Sequence, residues 1–225
     1  MGGIPGRSPP PSPRLASLYR RLTSMTASST LSSEFSVSLE GTHHGPWLTT
    51  PSLFAEIGSV PAHWERRDVA DLWAEVLFIE LGMGGDEVAD AVGVHPGSYW
   101  WHECHGEDGN GGSGPAVVLV CVGGGHYAPR HGDAIRGGGS RVLLGHILPS
   151  YTMDLAGEAS EWQACVREAV EATRRAFVPA SPEVVCYVDK KAFKAEQRGL
   201  LIDFIENQLG LRTALKPSDI LGSRA

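Results

Sequence analysis

Histidines are the residues of this chain whose type and placement point most directly to chemistry. The sequence has nine, and five of them follow or close apolar runs typical of strands: His43, His44, His126, His131 and His146. Neutral imidazole is the commonest transition-metal ligand and also exchanges protons near pH 7. Metal binding and proton transfer are both open uses at this point, as is the capping of loops by hydrogen bonds to backbone. Glu40 and Glu56 would add carboxylates to such a site.

A run of three glycines, Gly123, Gly124 and Gly125, directly precedes His126. The run lacks the spacing of a dinucleotide-binding fingerprint, and no helix-forming run follows it at once. Without a Cβ, glycine lets backbone N–H groups approach a substrate phosphate or carbonyl closely. The run therefore predicts an anion-binding or oxyanion-binding loop, and a tight turn without a ligand is the alternative.

A basic group follows the last long apolar run. Its members are Lys190, Lys191, Lys194 and Arg198, and three of them are spaced to share one helix face. Such a group binds phosphates locally even in an acidic chain, although a solvated helix surface would have the same pattern.

The elements that must position these residues alternate along the chain. Strands are predicted at 35–40, 53–57, 116–122, 141–148 and 184–188, and helices at 13–22, 59–82, 158–177 and 193–209. This alternation predicts an α/β fold, a largely parallel sheet flanked by helices. Because ligands bind beyond the carboxyl ends of parallel strands, we expect the histidine-bearing loops to meet at one edge.

Length and composition limit the classes of protein to which this chain can belong. The chain has 225 residues, a formal net charge of −7 and 42% hydrophobic residues, which suits one large domain or two small ones and excludes a disordered acidic tail. It has no apolar run long enough for a membrane span. Cys121 and Cys186 lie in strand-like runs and are predicted to be buried free thiols, which fits a reducing compartment.

Two regions are predicted. Residues 1–33 form a Pro/Ser-rich start with a short helix and a linker, and residues 34–225 form the α/β domain with a Gly-rich insertion near 102–114.

Four motifs in order resemble one known family. They are Thr42-His43-His44-Gly45-Pro46 with the following Leu53–Ser59, the segment Gly123–His131, Gly145-His146 with Tyr151 downstream, and Asp189–Lys194. Together they resemble the archaeal- and plant-type D-aminoacyl-tRNA deacylases over about 150 residues.

The resemblance implies a fold similar to peptidyl-tRNA hydrolase. It also implies hydrolysis of the ester between a D-amino acid and the tRNA 3′ end, including aldehyde-modified D-aminoacyl adducts. Zinc is the implied cofactor, aminoacylated tRNA the implied partner and the cytoplasm the implied compartment. We expect a monomer that makes no membrane contact.

Roles follow for the candidate residues under this resemblance. We expect His44, His126 and Tyr127 to take part in catalysis, and His43, His131, His146 and Glu56 to bind the metal. Substrate binding is assigned to the glycine run and the basic side chains, namely Gly123, Gly124, Gly125, Arg130, Lys190, Lys191 and Lys194. The spacing of the histidines leaves open which of them bind metal and which transfer protons.

The beginning of the chain departs from the family pattern. Residues 1–6 resemble an internal family segment, so we expect an N-terminally shortened domain that lacks strands of the sheet. Two other hypotheses therefore accompany the deacylase: an inactive protein that binds the tRNA end, and a metal-dependent hydrolase of a small ester or amide.

Overall fold

The centre of the fold is a four-stranded sheet in which every pair of neighbours is parallel. This computed structural model describes residues 3–42, 45–58, 60–83, 116–178 and 181–222. The strands are β1 (Val117–Val122), β2 (Val142–Leu148), β3 (Glu183–Val188) and β4 (Arg212–Ala214), arranged in the order β2-β1-β3-β4. The predicted α/β fold with a largely parallel sheet flanked by helices is confirmed.

Both faces of the sheet are covered, which explains the uninterrupted apolar runs of β1 and β2. Alternate residues of β1 enter two separate cores. Val118, Val120 and Val122 pack with α5 (Ala159–Ala176) and α6 (Ala195–Asp203), whereas Val117, Leu119 and Cys121 share a core with side chains of α1 (Leu15–Ala27) and α4 (Pro129–Gly137).

One further helix packs on the α1 side. The chain forms the single turn α2 (Pro61–Trp64) and then α3 (Arg67–Glu80), where one helix over 59–82 was predicted. Glu80 is buried and accepts hydrogen bonds from Ser17 and Arg21, which joins α3 to α1. No helix in the part of the chain that the structure describes is long and apolar enough to cross a lipid bilayer.

The strands predicted at 35–40 and 53–57 are wrong. Side chains of 35–40 do alternate between more and less exposed, but the segment makes only one isolated bridge, Glu40 to Tyr127. Residues 53–57 are mostly exposed and belong to no strand. Alternation reports burial of one face, and it does not by itself supply a neighbouring strand with free backbone groups.

Several boundaries and elements also differ. The first helix continues through Ala27, into the predicted linker, and a 3₁₀ turn occupies Thr30–Ser33. The sequence reading missed α4 and β4, although Pro129 at the first helical position of α4 is a typical start signal. The predicted Gly-rich insertion near 102–114 lies outside the described residues.

Candidate functional site

Three loops meet at the carboxyl edge of the sheet because β1, β2 and β3 end in register. Val122 stands opposite both Leu148 and Val188. Hydrogen bonds then connect the loops: Gly123 N–H donates to Leu148 O (2.8 Å), and Asp189 N–H donates to Val122 O (2.9 Å). Of the histidine-bearing loops that were predicted to meet, those after β1 and β2 do so, and the loop after β3 joins them at the same edge.

The glycine run has a backbone that other residues rarely adopt. Gly123 and Gly124 have φ of +103° and +82°. A Cβ on Gly123 would lie 2.9 Å from the Cβ of Ala192, so the position also requires the absence of a side chain. Gly123 N–H is used within the fold. Among the described residues, the N–H groups of Gly124 and Gly125 have no hydrogen-bond acceptor.

His126 lies beside these two amides and is partly exposed. Its Nδ1 is 3.4 Å from the Tyr151 hydroxyl and its Nε2 is 3.6 Å from Glu40 Oε1. Tyr127 packs edge-on against the imidazole with ring centroids 4.9 Å apart. The bridge between Glu40 and Tyr127 brings the carboxylate to this position. The arrangement provides a solvated base, a carboxylate that orients it and free donors nearby.

His131 was predicted to lie in a loop, but it lies in α4. It is 1% exposed, and its Nε2–H donates to Gly123 O at 3.0 Å. Burial lowers the pKa of His131, which keeps the imidazole neutral and this hydrogen bond in place. His131 therefore holds the glycine run from behind.

His146 is buried at an irregularity of β2. The register shifts between Leu119 and Cys121 of β1, so that β2 has an extra residue here. Its Nδ1 lies 3.1 Å from Thr42 Oγ1 and its Nε2 lies 3.1 Å from Pro9 O. Burial lowers the pKa of His146 to about 4. With both ring nitrogens bonded to protein oxygens, His146 joins the N-terminal segment and the loop at Thr42 to the sheet.

The donors described do not fit a zinc site. Within the ranges that the structure describes, no three His, Cys, Asp or Glu side chains come close enough together to hold a metal ion. Glu56 is exposed in the segment at 53–57, and both nitrogens of His146 are occupied. His43 and His44 lie outside the described residues. Zinc thus stays a prediction, and no catalytic step is derived through it.

Two of the predicted basic side chains contact the loop after β3. Arg130 donates to the buried carboxylate of Asp189 at 2.7 Å, and Arg198 donates to Lys190 O at 2.8 Å. Asp189 Oδ1 also accepts from the backbone N–H of Lys191 at 3.0 Å. The side chains of Lys190, Lys191 and Lys194 are exposed. Asp189 therefore fixes the loop from which two of these lysines project.

A cavity of about 230 Å³ opens beside this loop. It is lined by residues that include Arg130, Asp189, Lys190, Lys191 and Lys216. A larger cavity of about 380 Å³ lies at the amino edge of the sheet, near Glu183 and Arg212, and none of the predicted site residues line it. Because the chemistry-bearing side chains gather at the carboxyl edge, the smaller cavity is the relevant one.

Three residues at this edge were missed as site residues. Asp189 and Tyr151 were noted only as members of motifs, and Lys216 follows a three-residue strand that sequence patterns do not reveal. The signal for the first two was their position one to three residues after a buried strand. No cysteine within the described ranges belongs to the site. Cys121 and Cys186 are buried free thiols, as predicted, and burial raises the pKa of Cys186 to about 12.

Comparison with known proteins identifies the family. A D-aminoacyl-tRNA deacylase family model matches residues 1–213. The chain belongs to this family. The deacylase motifs identified in the sequence, from Thr42 to Lys194, all fall within the matched range, so the resemblance read from the residues is confirmed.

Relatives within the deacylase family come from a plant and from archaea. A D-aminoacyl-tRNA deacylase of Arabidopsis thaliana is 33% identical over 221 residues, which is 92% of this chain and 63% of the relative. One of Methanosarcina mazei is 31% identical over 188 residues, covering 83% of this chain and 47% of the relative. The chain thus spans about half to nearly two thirds of the length of these relatives.

A solved structure has the same fold. The crystal structure of a conserved protein of unknown function superposes with a TM-score of 0.63 and 23% identity, over 98% of this chain and 62% of that one. At this identity the likeness concerns the fold of the deacylase chain and not its activity.

Proposed function

We propose that this chain hydrolyses the ester bond between a D-amino acid and the 3′ end of tRNA, including aldehyde-modified D-aminoacyl adducts. One observation carries the proposal: at the carboxyl edge of a deacylase-family fold, His126 lies beside two backbone N–H groups that have no acceptor among the described residues. A general base next to amide N–H groups that lack acceptors can activate water and stabilise the oxyanion of ester hydrolysis.

In the proposed mechanism the imidazole of His126 takes a proton from water as that water attacks the ester carbonyl. Negative charge develops on the carbonyl oxygen, and the N–H groups of Gly124 and Gly125 stabilise it. The carbon–oxygen bond to the terminal ribose then breaks, and His126 returns the proton to the leaving ribose oxygen. Glu40, 3.6 Å from Nε2, stabilises the imidazolium that forms between these steps.

Recognition of RNA is part of the same proposal. The cavity after β3 is lined by four cationic side chains and two carboxylates, so it carries two excess positive charges in a chain with a net charge of −7. A local cationic site of this kind favours phosphate groups in spite of the acidic whole.

Zinc, the cytoplasm and a monomeric state are further parts of the proposal. Zinc rests on the family resemblance and on histidines that include His43 and His44, and metal analysis of the purified chain tests it. The cytoplasm is supported by the free thiols of Cys121 and Cys186 together with a tRNA substrate. Light scattering of the purified chain tests the monomer.

The decisive experiment measures deacylation of matched D- and L-aminoacyl-tRNA by the chain and two histidine variants. We expect release of the D-amino acid but not of the L-amino acid, and a loss of about 10²- to 10⁴-fold in rate for His126→Ala. His63→Ala is the matched control and is expected to act like the unaltered chain, because His63 contacts only Phe35 among the described rings.

Other outcomes would favour the two other hypotheses. Binding of tRNA without turnover indicates a tRNA-end-binding protein. Failure to bind tRNA at low salt, combined with chelator-sensitive hydrolysis of a simple ester, indicates a metal-dependent hydrolase of small molecules.

A further inference from the structure

We propose that the carboxyl edge of the sheet binds the single-stranded 3′ end of the tRNA in one direction. In this proposal Tyr151 stacks on the terminal base and Lys216 contacts a phosphate nearer the 5′ side. The inference rests on the proposed function. It gives a role to Tyr151, to which that function assigned none, and a specific position to Lys216, which that function treated only as one of four cations lining the cavity.

Aromatic side chains occupy the edge above β2 and β1. Tyr151 is 58% exposed and Tyr127 is 50% exposed, and His126 lies between them in contact with both. Tyr151 is held there because the preceding residue, Ser150, donates to Gly124 O through its N–H (2.9 Å) and its hydroxyl (2.8 Å). Fixed, exposed aromatic rings are the surface on which unpaired bases stack.

Lysines occupy the other half of the edge, after β3 and β4. The whole chain contains four lysines, and all of them fall here: Lys190, Lys191, Lys194 and Lys216. Lys190, Lys191 and Lys216 line the cavity.

The carboxylates of the same cavity are already paired. Asp189 accepts from Arg130, and Asp133 pairs with Arg136. Lys216 lies 3.7 Å from Asp219, but both side chains are solvated, and such surface pairs contribute little and exchange readily. The lysine charge is therefore available to a phosphate.

The strand order places the aromatic half and the lysine half at opposite ends of the edge, so an RNA that contacts both must lie in one of two directions. From β2 to β4 there are three strand spacings, about 14 Å in all. This distance exceeds one nucleotide, so an RNA that reaches both halves must contribute more than its terminal nucleotide. The glycine run lies between the halves, after β1.

The position of the ester decides which end lies where. The bond to be hydrolysed is on the terminal ribose and must lie at Gly124, Gly125 and His126. The terminal base is attached to the same ribose and therefore reaches the adjacent aromatic rings. The remaining phosphates continue toward the lysines, with Lys216 farthest from the ester.

Binding of an RNA that carries no amino acid tests the proposal separately from hydrolysis. The probe is a short single-stranded RNA that ends in adenosine, titrated against the full chain at several salt concentrations. Tyr151→Ala is expected to weaken binding about 5- to 100-fold without changing the salt slope, because stacking does not depend on counterion release. Tyr151→Phe keeps the ring and should restore binding.

Lys216→Gln is expected to weaken binding severalfold and to reduce the slope of log affinity against log salt by about 0.7. The matched controls are Trp64→Ala, an exposed aromatic ring on α2, and Arg67→Gln, an exposed cation on α3. Loss of binding in a control equal to that in the test variant would overturn the proposal.

Direction is tested with 2-aminopurine as the terminal base. Its fluorescence should be quenched on binding. At saturating protein it should stay quenched with Lys216→Gln and should recover with Tyr151→Ala. Quenching that depends on Lys216 instead means that the RNA lies the other way round, which overturns the inference. If the RNA binds as expected but the ester is not hydrolysed, the proposed function is refuted and the inference is not. If the Tyr151→Ala and Lys216→Gln variants still bind RNA fully and hydrolyse the ester, the proposed direction of RNA binding is refuted and the function is not.

Discussion

Arg130 of α4 and Asp189 of the loop after β3 form an ion pair at the carboxyl edge, with a guanidinium nitrogen 2.7 Å from Asp189 Oδ2. The two partners differ in environment, since the aspartate side chain is 4% exposed and the arginine side chain 49%. The other oxygen of Asp189 accepts from Lys191 N–H, so this one carboxylate connects α4 to the loop that presents the lysines.

The difference in exposure predicts that removing Arg130 and removing Asp189 lower the stability of the protein by unequal amounts. Arg130→Met leaves a buried carboxylate without its charge partner, and we expect a loss of about 2–4 kcal/mol in the free energy of unfolding. Asp189→Asn leaves a guanidinium that water can solvate and keeps an acceptor for Lys191 N–H, so we expect about 1 kcal/mol. Urea unfolding measures both.

A surface pair on α5 supplies the matched control for these variants. Arg175 lies 3.1 Å from Glu168 with both side chains partly solvated, so Arg175→Met should cost less than about 1 kcal/mol. Equal losses for Arg130→Met and Arg175→Met would contradict the prediction.

Sequence patterns predicted correctly the strands that are buried on both faces and the helix that has a clear apolar face. Residues 117–122 and 183–188 have few polar side chains, and such short apolar runs indicate buried strands. The long amphipathic helix at Ala159–Ala176 has the predicted bounds within one or two residues. Residues 35–40 were predicted as a strand because they alternate, yet among the described residues they pair with a neighbouring segment only at one end, where Leu39 and Glu40 meet Tyr127 and Ala128.

The candidate site was predictable to the extent that it follows strand ends. Gly123, His126 and Lys190 stand directly after β1 and β3, where a parallel sheet places ligands. The functions of His131 and His146 were not predictable in the same way. Each bonds a backbone carbonyl, and the partner of His146 is Pro9, 137 residues away in the sequence.

Tyr127 was predicted to act in catalysis, and its surroundings indicate that the ring matters more than the hydroxyl. The ring packs on His126, while the hydroxyl has no hydrogen-bond partner in the described part of the chain. On the proposed function, Tyr127→Phe should stay within about twofold of the original kcat/KM, whereas Tyr127→Ala should lower it about tenfold. Steady-state deacylation of D-aminoacyl-tRNA measures both, and a tenfold loss in Tyr127→Phe would assign the role to the hydroxyl instead.

Close approach of β2 to α5 predicts a strong effect of one methyl group. A Cβ on Gly145 would lie 2.4 Å from Thr173 Oγ1 and 3.1 Å from Leu119 O, and Thr173 is fully buried. We expect Gly145→Ala to destabilise the chain by about 1–3 kcal/mol through overpacking. Gly137→Ala is the control, because nothing lies within 4 Å of its Cβ and alanine is the better helix former. Thermal unfolding should move in opposite directions for the two variants.

Stability should fall with pH below about 6.5 because of His146. Burial holds the pKa of His146 at about 4, below the value of about 6.5 in an unfolded chain. Between these values the unfolded chain binds a proton that the folded chain does not, so lowering the pH favours unfolding. The loss from this residue is complete below pH 4 and is on the order of 3 kcal/mol. His131 has its pKa lowered by burial as well and contributes in the same direction.

Urea unfolding between pH 4 and pH 8 measures this dependence, and His146→Gln separates His146 from the other groups. Glutamine keeps a donor and an acceptor for Pro9 and Thr42 but does not titrate, so the variant should lose less stability between pH 7 and pH 4.5 than the original chain does. If the variant is too unstable to compare, NMR of the imidazole gives the same answer directly, because the ring of His146 should stay neutral at pH 5. An imidazole that is half protonated near pH 6.5 would show that the hydrogen bonds to Thr42 and Pro9 do not hold it in the neutral state.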